Sequence, residues 1–255
     1  MTAWFSSSLG SEALIREAEL CRQLLPTGYY RYSVQLGLPA VSFAADVEVG
    51  HRFLVDRSVD ALAAAHHSGV VSRSGALPFA EKSIDLLYLP HTLDFCNDPH
   101  EVLREASQVL IPEGCVVLTG FNLVSLWGGL KHIRPARWRK VDTPYCGRYY
   151  RVGGMQDWLS LLGFDVVGAQ IIGFQPPVQN EQWRRRLGFL EKAGSRWWPG
   201  LGAIWLIVGR KREVAVSGGN KNRLRWQQLI PGIAGTANQP AARHAARTTL
   251  HLVPK

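Results

Sequence analysis

The run that decides the fold lies between Gly75 and Phe121. It opens with Leu77-Pro78-Phe79 and passes through Ser83-Ile84-Asp85-Leu86-Leu87-Tyr88-Leu89-Pro90-His91. Asp98-Pro99-His100-Glu101-Val102-Leu103-Arg104-Glu105-Ala106 follows, and the run closes with Ile111-Pro112-Glu113-Gly114-Cys115-Val116-Val117-Leu118-Thr119-Gly120-Phe121. The stretches at 83–89 and 115–120 are short apolar runs bounded by turn residues, as strands covered on both faces require. Between them Asp98 is placed to cap a helix, Pro99 suits its first position, and Glu101 complements the dipole of its first turn. Val102, Leu103, Ala106, Val109 and Leu110 recur at helical spacing. A strand, a helix and a strand joined by short links form a parallel α/β unit.

The alternation extends in both directions. Upstream, Ala13, Leu14, Ala18, Leu20, Cys21, Leu24 and Leu25 mark a lead-in helix over 11–25 that Pro26 stops. Tyr32 to Leu36 alternates as a first strand ending at Gly37. A second strand, Arg52 to Val55, ends in Asp56 and leads into a helix from about Val59 to His66; Val70-Val71 is a short third strand. Downstream, residues 122–150 are an insertion rich in Trp, Arg and Gly, followed by a helix over Met155–Leu162. A sixth strand starts at Phe164 and runs towards Phe174, a basic amphipathic stretch spans about Asn180–Ala193, and the last strand is Ala203–Gly209. The helical insertion between the last two strands suits a final strand that runs antiparallel. Residues 214–255 carry six Lys/Arg and no acid, with no sustained periodicity, and read as a basic disordered tail.

Composition narrows the function classes. The 255 residues carry a net charge of +9, but residues 1–120 hold 8 Lys/Arg against 14 Asp/Glu, and residues 121–212 hold 15 against 5. An acidic half and a basic half imply different partners. The longest apolar runs, such as Ala203 to Val208, are of strand length and too short to span a bilayer. Residues 1–8 lack a basic stretch followed by an apolar run, so no secretion signal is read and the expected location is cytoplasmic. Cys21, Cys96, Cys115 and Cys146 form no Cys-x-x-Cys pair and have no histidine at metal-ligand spacing, so reduced packing cysteines and no metal site are expected.

The segment from Gly75 to Phe121 resembles the class I S-adenosylmethionine (SAM)-dependent methyltransferases of the small-molecule, "type 11" kind. The resemblance rests on the Leu-Pro-Phe turn, the Ser-Ile-Asp-hydrophobic strand, the histidine after it, the Asp-Pro helix start with Leu-Arg-Glu, and the Pro-Glu-Gly turn. Ile84 stands where the family has Phe, and Glu113 stands for the first Gly of a Leu-x-Pro-Gly-Gly turn. The resemblance implies a Rossmann-like, seven-stranded, mostly parallel sheet flanked by helices, the last strand antiparallel. The domain would cover 1–213, with basic insertions at about 122–150 and 177–200. It also implies SAM as cofactor, bound outside the carboxyl ends of the strands. Matching position by position, Gln35, Gly37 and Leu38 fall in the first loop. Asp56 and Arg57 stand at the ribose, Ala76 and Leu77 at the adenine, and Pro90, His91 and Leu93 beside the methionine and methyl group.

The first loop departs from the pattern. Gln35 stands for an acid and Pro39 for the second glycine, while Arg73 stands where a carboxylate often meets the adenine amine, a donor for which Arg has no acceptor. For Asp56 a helix-capping role competes with the ribose role. His91 is the candidate general base, with a structural role against it. Asn122, Tyr145, Tyr149 and Tyr150 are candidate acceptor-site groups.

The expected activity is methyl transfer from SAM to an unidentified small molecule. A methyltransferase-like binding or regulatory protein is the rival. Basic segments at 131–140 and 182–196, which interleave Trp with Arg, offer an anionic membrane surface or RNA as further partners, against a plain solvated rim.

Overall fold

The computed structural model describes residues 2–45, 47–63, 68–133, 147–176, 182 and 186–212. Seven strands form one sheet: β1 (Tyr30–Leu36), β2 (Val49–Asp56), β3 (Ser68–Val71), β4 (Ile84–Pro90), β5 (Leu110–Phe121), β6 (Phe164–Ile172) and β7 (Ile204–Lys211). Their order is β3-β2-β1-β4-β5-β7-β6. The first five pair in parallel, and β7 lies antiparallel between β5 and β6. The Rossmann-like architecture and its antiparallel strand are therefore as the sequence implied.

Around the sheet stand α1 (Thr2–Phe5), α2 (Ser8–Leu24), α3 (Val59–Ala63), α4 (Thr92–Phe95), α5 (Pro99–Val109), α6 (Leu126–Ile133), α7 (Val152–Leu161) and α8 (Phe189–Trp197). None of the described helices is long and apolar enough to cross a membrane.

The continuous apolar runs are explained by what covers each face. In β4, Leu86 and Tyr88 join one core with Leu14, Leu20 and Cys21 of α2, whereas Leu87 and Leu89 join a second core with Val102, Leu103, Ala106 and Val109 of α5. β5 divides in the same way, Cys115 and Val117 to the first core, Val116 and Leu118 to the second. Alternate residues point to opposite faces, so a strand with both faces covered must be apolar throughout. Asp98 caps α5 as its position predicts: Oδ1 accepts from His100 N at 2.8 Å and Glu101 N at 3.2 Å, which holds its carboxyl below the usual range.

Several boundaries shift. β2 begins at Val49 rather than Arg52, β3 at Ser68 rather than Val70, and β6 ends at Ile172 short of Phe174. β5 begins at Leu110 because the Pro112–Gly114 turn is drawn into the sheet by a register irregularity opposite Ile84 and Leu86. The helix expected over Val59–His66 is described to Ala63. Of the stretch Asn180–Ala193, the part from Phe189 forms the start of α8, and most of the rest lies outside the described residues. Residues 134–146, with Tyr145 and Cys146, and the tail 214–255 lie outside them too. α1 was not foreseen: Trp4 and Phe5 are buried, packed edge-on to each other and against Phe121.

Glu113 adopts φ 64°, a left-handed conformation that costs a side-chain-bearing residue about 1 kcal/mol and glycine almost nothing. Its side chain is exposed and lies 3.7 Å from Arg210 across solvent, too weak a pair to offset that strain. We expect Glu113→Gly to raise stability by about 0.5–1 kcal/mol. Urea unfolding checks this, and an unchanged or lower midpoint would refute it.

Candidate functional site

Strand order reverses between β1 and β4, and in such sheets ligands settle in the crevice outside the carboxyl ends at that point. The residues nominated from the sequence gather along this edge. Gln35, Gly37 and Leu38 are at the end of β1, Asp56 and Arg57 at the end of β2, Ala76 and Leu77 beyond β3, and Pro90, His91 and Leu93 at the end of β4.

The first crossover is unusual. Parallel neighbours are ordinarily joined through a helix, yet between Gly37 and Glu48 the described residues form none. Instead Leu38, Phe43 and Ala44 turn into the core beside Tyr30 and Tyr88. The loop is organised by Gln35. Its Nε2 lies 3.1, 3.1 and 2.9 Å from the carbonyls of Gly37, Leu38 and Val41, and its Oε1 accepts from Phe43 N at 3.0 Å. A carboxylate could not replace it, because those three carbonyls need a donor. Gly37 at φ 71° and Leu38 at φ 50° make the turn, and Gly37 N donates to Val55 O at 2.8 Å. The Gln35 amide hydrogens and the Gly37 amide are thus already engaged.

Further along the edge, Asp56 is half-buried and accepts from Ser58 N through Oδ1 at 2.9 Å. No hydrogen bond among the described residues reaches its Oδ2. The capping position before α3 belongs to Ser58, whose Oγ accepts from Ala61 N at 3.4 Å, and Asp56 spends one oxygen on the turn that leads into it. Arg57, Arg73 and Ala76 are exposed. Ser72 Oγ donates to Ala76 O at 2.6 Å, and Leu77 N donates to Glu105 Oε1 at 2.9 Å, fixing the loop beyond β3. The side chains of Leu77 and Leu93 are in the core.

His91 is fully buried, with φ 50°. Its Nδ1 lies 2.8 Å from Asp94 Oδ2 and its Nε2 3.0 Å from Glu17 Oε1, and both carboxylates are buried as well. Asp94 Oδ2 also accepts from Phe121 N at 3.0 Å. Phe5 and Phe121 pack against the ring at 4.9 and 4.4 Å. Burial is the largest influence on His91 and opposes its charge. The two carboxylates together outweigh it and lift the pKa from 6.5 to about 9. Burial likewise raises Asp94 from 3.8 to about 6, against the opposing pull of His91. At neutral pH His91 is a cation with both nitrogens engaged. In this state it ties α2 to the β4–α4 turn and has no free lone pair with which to accept a proton.

Neither Glu17 nor Asp94 was singled out from the sequence, although a signal existed. Glu17 stands among Leu14, Leu20 and Cys21 on the apolar face of α2, where an acid needs a buried partner.

Asn122, at the end of β5, is equally engaged. Its Nδ2 donates to Gly200 O and Gly202 O at 2.9 Å each, and its Oδ1 accepts from Val124 N at 3.1 Å. Tyr149 stacks on Phe121 beneath the Lys131 ammonium, and Tyr150 pairs with Trp158. Among the described residues no cluster of His, Cys, Asp or Glu could hold a metal, and Cys21, Cys96 and Cys115 are free thiols.

Two outcomes follow from this geometry. Gln35→Glu places a buried carboxylate against three carbonyls and should cost about 2–4 kcal/mol at neutral pH, read by urea unfolding; an unchanged midpoint would remove the clamp from the account. Folded His91 holds its proton more tightly than the unfolded chain does. Its stabilisation is therefore complete below pH 6.5 and is lost as pH rises through about 9. Asp94 acts in the same direction between 3.8 and about 6. Unfolding free energy should fall between pH 6.5 and 9, and His91→Gln should flatten that slope.

Comparison with known proteins agrees with this architecture. A sequence-family match described as "Methyltransferase domain" covers residues 36–118. YafS of Escherichia coli, an uncharacterized protein, is 39% identical over 170 residues, and the aligned stretch covers 65% of this chain and 65% of that relative's own length. A SAM-dependent methyltransferase of Thermotoga maritima superposes with a TM-score of 0.59 at 19% identity, over 78% of this chain and 89% of that one. Another, from Archaeoglobus fulgidus, gives 0.55 at 16% identity, over 78% and 94%. Family match and superposition converge: residues 36–118 match a methyltransferase domain, and the chain has the fold of the SAM-dependent methyltransferases it superposes on.

Proposed function

We propose that the protein transfers the methyl group of SAM to a small-molecule acceptor. The observation that carries this is the Asp56 carboxylate at the carboxyl end of β2. One oxygen is fixed by Ser58 N, and the other has no partner among the described residues at the position where the family holds the ribose. That arrangement fits a nucleoside: a preoriented carboxylate oxygen accepts from vicinal hydroxyls at little further cost in ordering. Ala76 and Leu77, held by Ser72 and Glu105, supply backbone beside the base. Bound SAM supplies an electrophilic methyl sulfonium.

What this chain adds is position. Methyl transfer is an in-line displacement, and holding donor and acceptor at the right distance accounts for much of its acceleration. An acceptor that carries a free lone pair needs no general base, which suits a site whose buried His91 imidazole is protonated at neutral pH.

A second reading keeps the fold for binding or regulation without efficient transfer. It is favoured by the engaged Gln35 amide at the end of β1, which is not free to hold the amino-acid end of the cofactor.

Isothermal titration with SAM and S-adenosylhomocysteine decides between them. Binding of both is expected, with Asp56→Ala weakening each by about 10- to 100-fold for the loss of a charge-assisted hydrogen bond. No heat at millimolar ligand would sink the enzyme and leave the second reading. Undiminished affinity in the Asp56 variant would remove the ribose assignment.

A further inference from the structure

Among the described residues, six of the eleven exposed large hydrophobics fall in two short segments, Val124 and Leu126 in one, Phe189, Trp197, Trp198 and Leu201 in the other. Their exposures run from 45% at Leu201 to 69% at Trp197. The two segments are tied together by Asn122, whose amide reaches Gly200 O and Gly202 O while its own carbonyl oxygen holds Val124 N. Single exposed apolar residues need no explanation, but a concentration on joined segments does.

The helix is held so as to keep this face outward. Both oxygens of Glu191 accept backbone amides, Gly173 N and Phe174 N, at 3.0 Å each. At Gly194 a Cβ would stand 2.5 Å from the Cβ of Phe174, so the absence of a side chain sets how closely α8 approaches. Residues 191 and 194 face the protein, one turn apart, while Phe189, Arg196 and Trp197 are exposed.

Charge and location select the occupant. Residues 122–140 contain five Lys/Arg and no acid, and residues 182–201 contain five Lys/Arg and one acid, Glu191, which is turned inward. Residues 1–120, by contrast, carry six more acids than bases. Exposed aromatic and aliphatic side chains carried on basic stretches of sequence fit the interface of an anionic bilayer, where Trp rests at headgroup depth and Leu, Val and Phe reach the acyl boundary. Aliphatic side chains offer RNA neither a stacking face nor a phosphate contact. The patch also lies on the functional edge, because β7 starts at Ile204 opposite Phe121, the carboxyl end of β5.

We propose that the Val124–Leu126 and Phe189–Leu201 segments form a docking surface for an anionic lipid bilayer, with the crevice edge set against the headgroup layer. Resting on the methyl-transfer reading, the acceptor is then an amphiphile that partitions into that layer.

The test uses the full chain with phosphatidylcholine vesicles, with and without about one third phosphatidylglycerol. Co-sedimentation with the anionic vesicles is expected, weakened by salt. The exposed pair Trp197→Ser/Trp198→Ser should lower the partition coefficient about tenfold while keeping native circular dichroism and leaving SAM titration unchanged. Absence of anionic-vesicle binding would overturn the proposal, as would binding indifferent to the double substitution. It would equally fall if the substitution abolished transfer-RNA binding or self-association and spared vesicle binding. The vesicle result is independent of whether SAM binds, so failure here and failure of the methyl-transfer reading are separate findings.

Discussion

Bringing the chain from the end of β1 to the start of β2 in twelve residues, Gly37 to Glu48, without a helix among the described ones is the constraint on which the candidate site depends. Leu36 lies beside Val55, so the return to Val49 spans about 20 Å, about half the fully extended reach of twelve residues. The spare length is used in the core, because the loop must cover a sheet face that a helix would cover elsewhere. Leu38, Phe43 and Ala44 supply the cover. Burying irregular backbone leaves carbonyls to be satisfied, and one side chain, Gln35, meets three of them and one amide. The departure from an acid at this position is therefore coupled to the departure in architecture. The donor that a short loop requires is one that a carboxylate cannot provide.

The same edge holds a second concentration of cost. Gly37, Leu38 and His91 all take positive φ, and the two with side chains stand on either side of the β1–β4 reversal. Strain of this kind persists only where surroundings over-determine it. At His91 the surroundings are two buried carboxylates and two aromatic rings. Truncating one acid would leave the others under-compensated in low dielectric, so the three groups act as a unit. α2, far away in sequence, is thereby locked onto the strand end that faces the ligand crevice.

Much of the architecture was legible because it is written in repeating patterns. The apolar runs of β4 and β5, the Asp98-Pro99 helix start and the stripe on α5 each report one local rule, and each appears as read. The boundaries that moved, at β2, β3 and β5, depend on which partner strand is available, and periodicity carries no record of that. α1 is too short to show a period. The candidate site was legible as a set of positions along one edge, since topology alone gathers the strand ends. What each polar atom does there was not, because it depends on partners distant in sequence: 74 residues separate Glu17 from His91, and 80 separate Asn122 from Gly202.

Gln35, His91 and Asn122 share a further property that bears on specificity. Each looks from the sequence like a group free to meet a ligand, and in each the hydrogen-bonding atoms are largely consumed by the protein. Asp56 differs, with one carboxylate oxygen left over. On the proposed methyl-transfer reading, a crevice with one preoriented carboxylate at the end of β2 and spent polar groups at the ends of β4 and β5 can discriminate strongly for a hydroxyl-bearing cofactor. It has few fixed donors or acceptors with which to discriminate among polar acceptors, and hydrophobic selection is shallow, at about 1–3 kcal/mol per methylene. Selectivity for the acceptor must then come from shape and from where the acceptor is concentrated. On that reading Asn122 connects these two requirements, because the amide that the sequence offered to an acceptor is the one that holds the exposed Trp198–Leu201 turn beside Val124.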